Sequence, residues 1–167
     1  PPMKDPAFTY LQKRSMHRAW PWITGNLRAA GLTQAVVIPV LAESANLFQT
    51  LSDLAASPPE MLEKTLVLCV VNNRRPDLTG ADDCADNEKT LDTLPDFAAG
   101  HPALHLAWID AASDGCELGP KDGVGLARKI GLDWALGLLR ESEATPNGTL
   151  ISLDADLQDD LEAIPRM

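Results

Sequence analysis

Four short apolar runs, separated by longer amphipathic stretches, dominate the pattern of the chain. They are rich in β-branched residues and lie at residues 35–40, 66–71, 104–110 and 149–153. Their hydrophobicity is almost continuous rather than alternating, which is typical of strands that are covered on both faces. Strands of this kind in alternation with helices predict an α/β fold, with a mostly parallel sheet sandwiched by helices.

Three of the stretches between these runs carry apolar residues at helical spacing. The first follows a candidate N-cap at Ser44 and ends before the proline pair at residues 58–59. A second helix is predicted at residues 87–98 and a third at residues 122–141. The acidic segment at residues 76–86 is rich in turn-forming residues and is predicted to be a surface loop. The expected order is therefore β-α-β-α-β-α-β.

The composition fits a single globular domain. Of the 167 residues, 45% are hydrophobic and 23% are charged, close to the averages of globular proteins. No apolar run approaches the roughly 18 residues that a membrane-spanning helix needs. The formal net charge of −10 repels phosphate backbones, so no nucleic acid partner is expected.

Residues 1–34 differ from the rest of the chain in charge. They carry five Lys or Arg residues and one Asp, together with Trp20 and Trp22, whereas residues 35–167 are strongly acidic. We therefore treat 1–34 as a basic, aromatic N-terminal extension and 35–167 as the domain. The extension can be a helix that packs on its own domain, a contact for a partner, or a peripheral contact with a membrane surface.

Cysteine usage and the start of the chain point to a reducing compartment. Cys69, Cys84 and Cys116 form no C-x-x-C pair, and their odd number suits unbonded thiols. Cys69 lies in an apolar run and is expected in the core. The chain begins with two prolines and shows no secretory leader. We expect a processed or excised piece of a cytoplasmic protein, with membrane association left open.

Polar side chains follow three of the predicted strands. Glu43 comes after the first run, Asn72 and Asn73 after the second, and Asp154 and Asp156 after the fourth. In an open parallel sheet the carboxyl ends of the strands form one edge, where ligands bind. Carboxylate oxygens are ligands that Mg²⁺ and Mn²⁺ prefer, and these ions commonly hold substrate phosphates. The pattern thus predicts a cation at the Asp pair.

Each of these polar residues also has a purely structural interpretation. The Asp pair can stabilise the start of a helix at residues 158–166, and Glu43 can lie in the first turn of a helix instead of binding a ribose. The two asparagines can form an Asx turn instead of contacting the edge of a nucleobase.

Two glycines open the third predicted helix. Gly123 and Gly125 leave room for the helix N-terminus to approach a phosphate, where Lys121 or Arg128 would add positive charge. A dinucleotide fingerprint is excluded, because Arg128 stands at its third glycine position and no strand immediately precedes it. The phosphate-loop and nucleophile-elbow motifs are absent from the sequence, and the three histidines show no metal-ligand spacing.

Four segments, in order, resemble motifs of the family 2 glycosyltransferases. The opening I-P-x-Y-N-E strand and helix of that family is similar to VVIPVLAESANLFQTLSDL (36–54), and the second strand to LVLCVVNN (66–73). The G-x-x-x-A-R-N-x-G helix is similar to GVGLARKIGLDWAL (123–136), and the strand leading into the D-x-D motif to LISLDADLQDD (150–160). Four motifs in the right order indicate the family more specifically than any one of them alone. The resemblance covers residues 35–167.

This resemblance implies a Rossmann-like GT-A fold and the transfer of a sugar, with inversion, from a UDP- or GDP-sugar to an acceptor. By similarity, Asn72 would face the base, while Asp154 and Asp156 would hold ribose and Mn²⁺ or Mg²⁺, with Asp156 the direct ligand. The cation would neutralise the departing diphosphate. The implied nucleotide-sugar site comprises Pro39, Val40, Leu41, Glu43, Asn72, Asn73, Gly123, Gly125, Arg128, Asp154, Ala155 and Asp156.

The chain departs from the family pattern at several positions. Leu41 and Ala42 replace the usual Tyr-Asn, Asn72 replaces an Asp, and Lys129 replaces an Asn. The catalytic base of the family follows the D-x-D motif by many residues, so it is expected beyond Met167 and no catalytic residue is assigned. We expect this fragment to bind a donor without glycosylating an acceptor by itself.

Two other functions stay open. A non-catalytic nucleotide-sugar-binding or scaffold module with the same fold would explain the changes at Leu41 and Asn72. A sugar-nucleotidyltransferase shares the architecture but needs a glycine-rich loop after the first strand, where this chain has PVLAES (39–44). The acceptor is unknown: a glycan, a lipid-linked molecule and a small molecule are all compatible, and the tail DADLQDDLEAIPRM (154–167) resembles the branch that acts on polyprenol phosphates.

Overall fold

The structure of the protein is a computed structural model. It describes residues 5–15, 20–28, 30–144 and 147–156.

Five strands form one mixed sheet in the order β1-β4-β3-β2-β5. The four strands β2 to β5 are parallel to one another, whereas β1 runs antiparallel to β4 at one edge. The predictions of four strands and of an α/β fold are confirmed, and β1 is an addition that the sequence did not predict. The bounds are β1 Trp22–Thr24, β2 Gln34–Val40, β3 Thr65–Asn72, β4 His105–Ala111 and β5 Thr149–Ser152.

Six helices lie between or beside these strands in the described part of the chain. Three of them are the helices predicted from periodicity, here named α2, α5 and α6, and the other three are short or N-terminal. The bounds are α1 Pro6–Arg14, α2 Ser44–Ala55, α3 Pro59–Leu62, α4 Pro76–Thr79, α5 Ala81–Gly100 and α6 Val124–Glu141.

The prediction of a surface loop at residues 76–86 is wrong. This segment contains α4 and the beginning of α5. Its turn-forming residues occupy helix starts, since Pro76 is the first residue of α4 and Gly80, at φ +102°, precedes the first residue of α5. Asp82 and Asp83 lie in the first turn of α5, where the helix dipole favours acidic side chains. The polar composition of the segment therefore reflects helix N-termini.

The predicted N-cap of α2 is also corrected. Ser44 is the first helical residue, and Glu43 occupies the N-cap position without a side-chain hydrogen bond to the helix. The free N–H of Ser44 is instead satisfied by Asp86 of α5, whose Oδ2 accepts it at 2.9 Å. The Ser44 hydroxyl donates to the other oxygen of the same carboxylate. A carboxylate from a distant helix thus caps α2.

Helices cover the sheet on both faces, as the continuous hydrophobicity of the strands predicted. On one face, Leu51 of α2 and Leu94 of α5 belong to a core cluster that also holds Cys69 and Trp108. On the other face, Ile130 of α6 belongs to a second cluster. The central strand β3 is buried along its whole length. The expectation that Cys69 is a core residue is confirmed, and Trp108 is buried as well.

The described part of the N-terminal extension packs on the domain. Tyr10 of α1 donates a hydrogen bond from its hydroxyl to Asp133 Oδ1 of α6 at 2.7 Å. Trp22 of β1 stacks on Trp134 of α6, with ring centroids 4.5 Å apart. Of the three alternatives left open by the sequence, packing on the domain is the one that these contacts bear out.

No helix in the described ranges has both the length and the apolar character needed to cross a membrane.

Candidate functional site

The order of the parallel strands creates one switch point in the sheet. From β2 the chain proceeds outward through β3 and β4, and α6 then returns it to the opposite side of β2, where β5 pairs. In open α/β sheets, ligands bind beyond the carboxyl ends of the strands at such a point. The loops after β2 and β5 flank it, and both contain residues of the predicted site.

The loop after β2 is held in an unusual backbone conformation. Ala42 has a φ of +53°, in the left-handed region that L-residues with a Cβ avoid at a cost of roughly 1–2 kcal/mol. Its N–H donates to Asn87 Oδ1 at 3.0 Å. Such conformations persist where surrounding contacts determine them and are frequent at ligand sites. The side chain of Leu41 is left 44% exposed at the tip of this loop.

Asn72, at the end of β3, uses its amide donors within the protein. Its Nδ2 donates to the backbone oxygens of Val40 at 3.0 Å and Val70 at 3.1 Å. Asn87 reaches the same place from α5, donating to Asn72 O and to Asn73 Oδ1, both at 2.9 Å. Because all three asparagines are buried, this network fixes the relative position of the ends of β2 and β3.

Asn73 connects β3 with the segment that follows β4. Its Nδ2 donates to Arg74 O at 2.7 Å and to Ala112 O at 3.2 Å. Its own backbone oxygen accepts from Leu118 N at 2.9 Å. The amide donors of Asn72 and Asn73 are thus bound to main-chain oxygens, an arrangement different from the Asx turn of the structural interpretation.

The turn after β5 directs its two carboxylates to solvent. Asp154 and Asp156 are exposed, while the intervening Ala155 is buried in the core. Thr50 of α2 donates from Oγ1 to Ala155 O at 2.7 Å, and Leu153 N donates to the backbone of β2. The turn is therefore anchored by its apolar residues, and exposure to solvent removes the cost of two buried charges.

Arg128 of α6 meets this turn. Its Nη2 lies 3.5 Å from Asp154 Oδ1, and both side chains are partly exposed. Arg128 Nε is buried without a hydrogen-bond partner in the described part of the chain. The A-R motif of the third predicted helix and the D-x-D motif, separated by 26 residues, are thus neighbours at the carboxyl edge of the sheet.

A cavity of about 370 Å³ lies at the ends of β2 and β3. Its size falls within the range of about 300–1,000 Å³ that is usual for small-molecule sites. Four of the predicted site residues line it, together with six that were not predicted. The ten are Leu41, Asn72, Asn73, Arg74, Thr79, Asp83, Leu118, Asp122, Gly123 and Val124.

The other predicted site residues lie outside the lining of this cavity. Pro39 and Val40 are buried within β2. Glu43 accepts a hydrogen bond from Asn46 Nδ2 at 3.1 Å and is the N-cap residue of α2, just before the first turn in which its structural interpretation had put it. The remaining members are on α6 or on the turn after β5, namely Gly125, Arg128, Asp154, Ala155 and Asp156. The possible helix at residues 158–166 lies outside the described residues.

Sequence reasoning missed the roles of Asn87, Arg74 and Asp83. A signal existed for Asn87, which shares the buried face of α5 with Thr90 and Leu94. An amide at a core position of a helix requires hydrogen-bond partners. Asp83 lies in the segment predicted to be a surface loop and Arg74 lies just before that segment, and no local pattern distinguishes them from other surface charges.

The carboxylates at this edge of the sheet suit a cation whose remaining ligand atoms are supplied by a bound substrate. Within the described residues there is no group of three or more His, Cys, Asp or Glu side chains that could hold a metal ion by themselves. Mg²⁺ and Mn²⁺ are commonly held by one or two carboxylates together with phosphate oxygens. The two exposed carboxylates of Asp154 and Asp156 fit that second arrangement.

Cysteine chemistry finds no support at this edge of the sheet. All three cysteines are unbonded. Burial raises the pKa of the Cys69 thiol to about 12. The pKa values of Cys84 and Cys116 are also raised, mainly by burial and to a smaller extent by neighbouring carboxylates. Because the thiolate is the reactive form, these thiols are poor nucleophiles at neutral pH.

Comparisons with protein-family models, with curated proteins and with solved structures give no significant match for this chain. The class that the structure itself defines is an α/β protein with a five-stranded, mostly parallel sheet flanked by helices.

Proposed function

We propose that this chain is the nucleotide-sugar-binding part of a metal-assisted glycosyltransferase that resembles family 2 and has the GT-A fold. The observation that carries the proposal is the contact between Arg128 and Asp154, at 3.5 Å. Each belongs to a different motif of the resemblance, and the two side chains come together at the edge where ligands bind in open α/β sheets.

The conformation of Ala42 gives independent support. The family has Asn at this position, and Asn adopts left-handed backbone angles several-fold more readily than most residues. Ala42 has that left-handed conformation, at φ +53°. The backbone thus retains the shape that the family residue favours, even though the side chain differs.

Lys129, another departure from the family pattern, has a structural role that leaves the site unaffected. Its Nζ donates to Asp133 Oδ2 at 2.7 Å and to Tyr10 OH at 3.0 Å. The lysine thus joins α6 to the N-terminal helix of this chain, and its presence does not argue against the proposal.

In the proposed function, Asp156 and Asp154 would hold a Mn²⁺ or Mg²⁺ ion together with phosphate oxygens of the donor. The ion, when bound, offsets the negative charge that develops on the departing nucleoside diphosphate. Arg128 adds positive charge beside it, and the N-terminus of α6 at Gly123 presents backbone N–H groups to a phosphate. No catalytic base is assigned among the described residues.

Calorimetry with UDP and GDP, with and without Mn²⁺, tests the proposal. We expect metal-dependent binding that Asp156→Ala reduces at least about tenfold, the loss of one charge-assisted contact. Asp92→Ala is the matched control, because Asp92 is an exposed residue on α5 away from this edge. Binding of neither nucleotide to a folded chain would contradict the proposal and favour the scaffold alternative.

A further inference from the structure

The cavity at the ends of β2 and β3 combines apolar and polar walls. Leu41 and Val124 are large hydrophobic side chains that are 44% and 57% exposed, and both line it. An exposed apolar side chain in a cavity wall gains free energy when a ligand covers it, by about 25 cal/mol per Å² of buried apolar area. A flat ring with apolar faces and polar edges would bury both residues while its edge reaches the polar groups.

The polar groups available to such an edge are few. Asn72 and Asn73 donate their amide hydrogens to backbone oxygens. Asp122 accepts a hydrogen bond from Gly119 N at 3.1 Å. The other charged groups in the lining are Arg74 and Asp83.

Arg74 and Asp83 retain hydrogen-bonding capacity. Only Nη1 of Arg74 is engaged, donating to Pro120 O at 3.3 Å, so most of its five donors are available. Asp83 is exposed and has no hydrogen-bond or salt-bridge partner among the residues that the structure describes. A ligand edge in this cavity thus meets one cation with several donors and, in Asp83, one carboxylate whose two oxygens are both unengaged by the described residues.

Among the nucleobases, guanine matches this pair. Its N1–H and N2–H₂ are adjacent donors that fit the two oxygens of one carboxylate, while O6 and N7 are adjacent acceptors that suit an arginine. Uracil offers one N–H between two carbonyls, so the second carboxylate oxygen would face a carbonyl oxygen. Charge-assisted hydrogen bonds are about twice as strong as neutral ones. The difference in binding free energy between guanine and uracil is therefore correspondingly large.

We infer that this cavity binds guanine, with Asp83 accepting from N1–H and N2–H₂ and Arg74 donating to the O6 and N7 edge. The donor is then a GDP-sugar. The inference rests on the proposed function for the presence of a nucleotide, and it adds the base that the nucleotide carries.

Calorimetry on the 167-residue chain with GDP, inosine diphosphate and UDP, in the same Mg²⁺ buffer, tests the inference. We expect GDP to bind at least about tenfold more tightly than UDP, because two charge-assisted hydrogen bonds are lost with uracil. Inosine diphosphate lacks only the 2-amino group and should bind about tenfold more weakly than GDP. Asp83→Asn should abolish the preference for GDP over inosine diphosphate.

Asp82→Asn is the control, because Asp82 is the exposed neighbour that does not line the cavity. Both substitutions keep size and lie at the surface of α5, and circular dichroism establishes that each variant is folded. Two results would overturn the guanine inference: equal effects of the two substitutions, or binding of UDP as tight as that of GDP. In either case, binding of the nucleotides would still support the proposed function. A folded chain that binds none of the three nucleotides overturns both.

Discussion

The side-chain oxygen of Asn87 accepts a hydrogen bond from the backbone N–H of Ala42 at 3.0 Å, across 45 residues of chain. Asn87 is 1% exposed, and Ala42 is in the left-handed conformation. The contact joins α5 to the loop after β2, and the amide nitrogen of the same asparagine binds the end of β3. One buried side chain therefore sets the shape of the cavity wall.

Replacement of Asn87 by alanine should destabilise the protein by about 2–4 kcal/mol, because three hydrogen bonds are lost and several buried polar groups are left unsatisfied. Urea denaturation measures the change in the free energy of unfolding. Glu88→Ala, at an exposed neighbouring position, should change it by no more than about 0.5 kcal/mol. A loss at Asn87 no larger than that of the control would show that the network contributes little.

Gly131 of α6 should be intolerant of alanine. A Cβ at this position would overlap the side chains of Val37 and Val70 in the sheet beneath. We expect Gly131→Ala to cost about 1–3 kcal/mol, as overpacking does in well-packed cores. Gly137 lies on the same helix with open space around its Cβ position, so Gly137→Ala should stabilise by about 0.5–1 kcal/mol. Thermal or urea denaturation of the two variants tests whether the substitutions change the free energy of unfolding in opposite directions.

Glu143 offers a site for stabilisation. It follows the C-cap of α6 at φ +62°, and the adjoining N–H of Ala144 donates to Leu139 O at 2.9 Å. This is the Schellman arrangement, in which glycine is the preferred residue. Glu143→Gly should therefore raise the free energy of unfolding by about 1 kcal/mol, whereas Glu141→Gly, within the helix, should lower it. Equal effects at the two positions would argue against backbone strain at Glu143.

The contact between α1 and α6 should depend on pH through Lys129. Burial by itself would lower the pKa of Lys129, but hydrogen bonds to Asp133 and Tyr10 outweigh it, and the net pKa is raised above the ordinary value of 10.5. Because the folded-state pKa is the higher one, this contribution to stability is fully present below pH 10.5 and is lost as the pH rises through the folded-state pKa.

The measurement is the free energy of unfolding of the wild type and of Lys129→Met between neutral and alkaline pH. The difference between the two should shrink above the ordinary lysine pKa, since the deprotonated amine no longer pairs with Asp133. Lys121→Met, at an exposed position, should track the wild type throughout. A difference that stays constant with pH would mean that Lys129 acts through packing alone.

The sequence by itself determined the parallel core of the sheet and its two covered faces, because the hydrophobic pattern of each strand is a local property. β3 illustrates this, since its apolar run at 66–71 lies within a strand that is buried throughout. One cavity is lined by four of the motif positions, namely Leu41, Asn72, Asn73 and Gly123. They lie together because the carboxyl ends of neighbouring parallel strands share an edge.

Only the tertiary structure decided which contacts fix the helix ends and loops around the cavity, and which charged side chains line it. Asp86 caps α2, and Asn87 shapes the loop after β2. The charged residues that line the cavity are Arg74, Asp83 and Asp122. Local periodicity carries no information on such partners, because each contact joins residues that are distant in sequence and depends on how α5 lies against the strand ends. β1 was missed for the same reason, since three residues become a strand only where β4 offers an open edge.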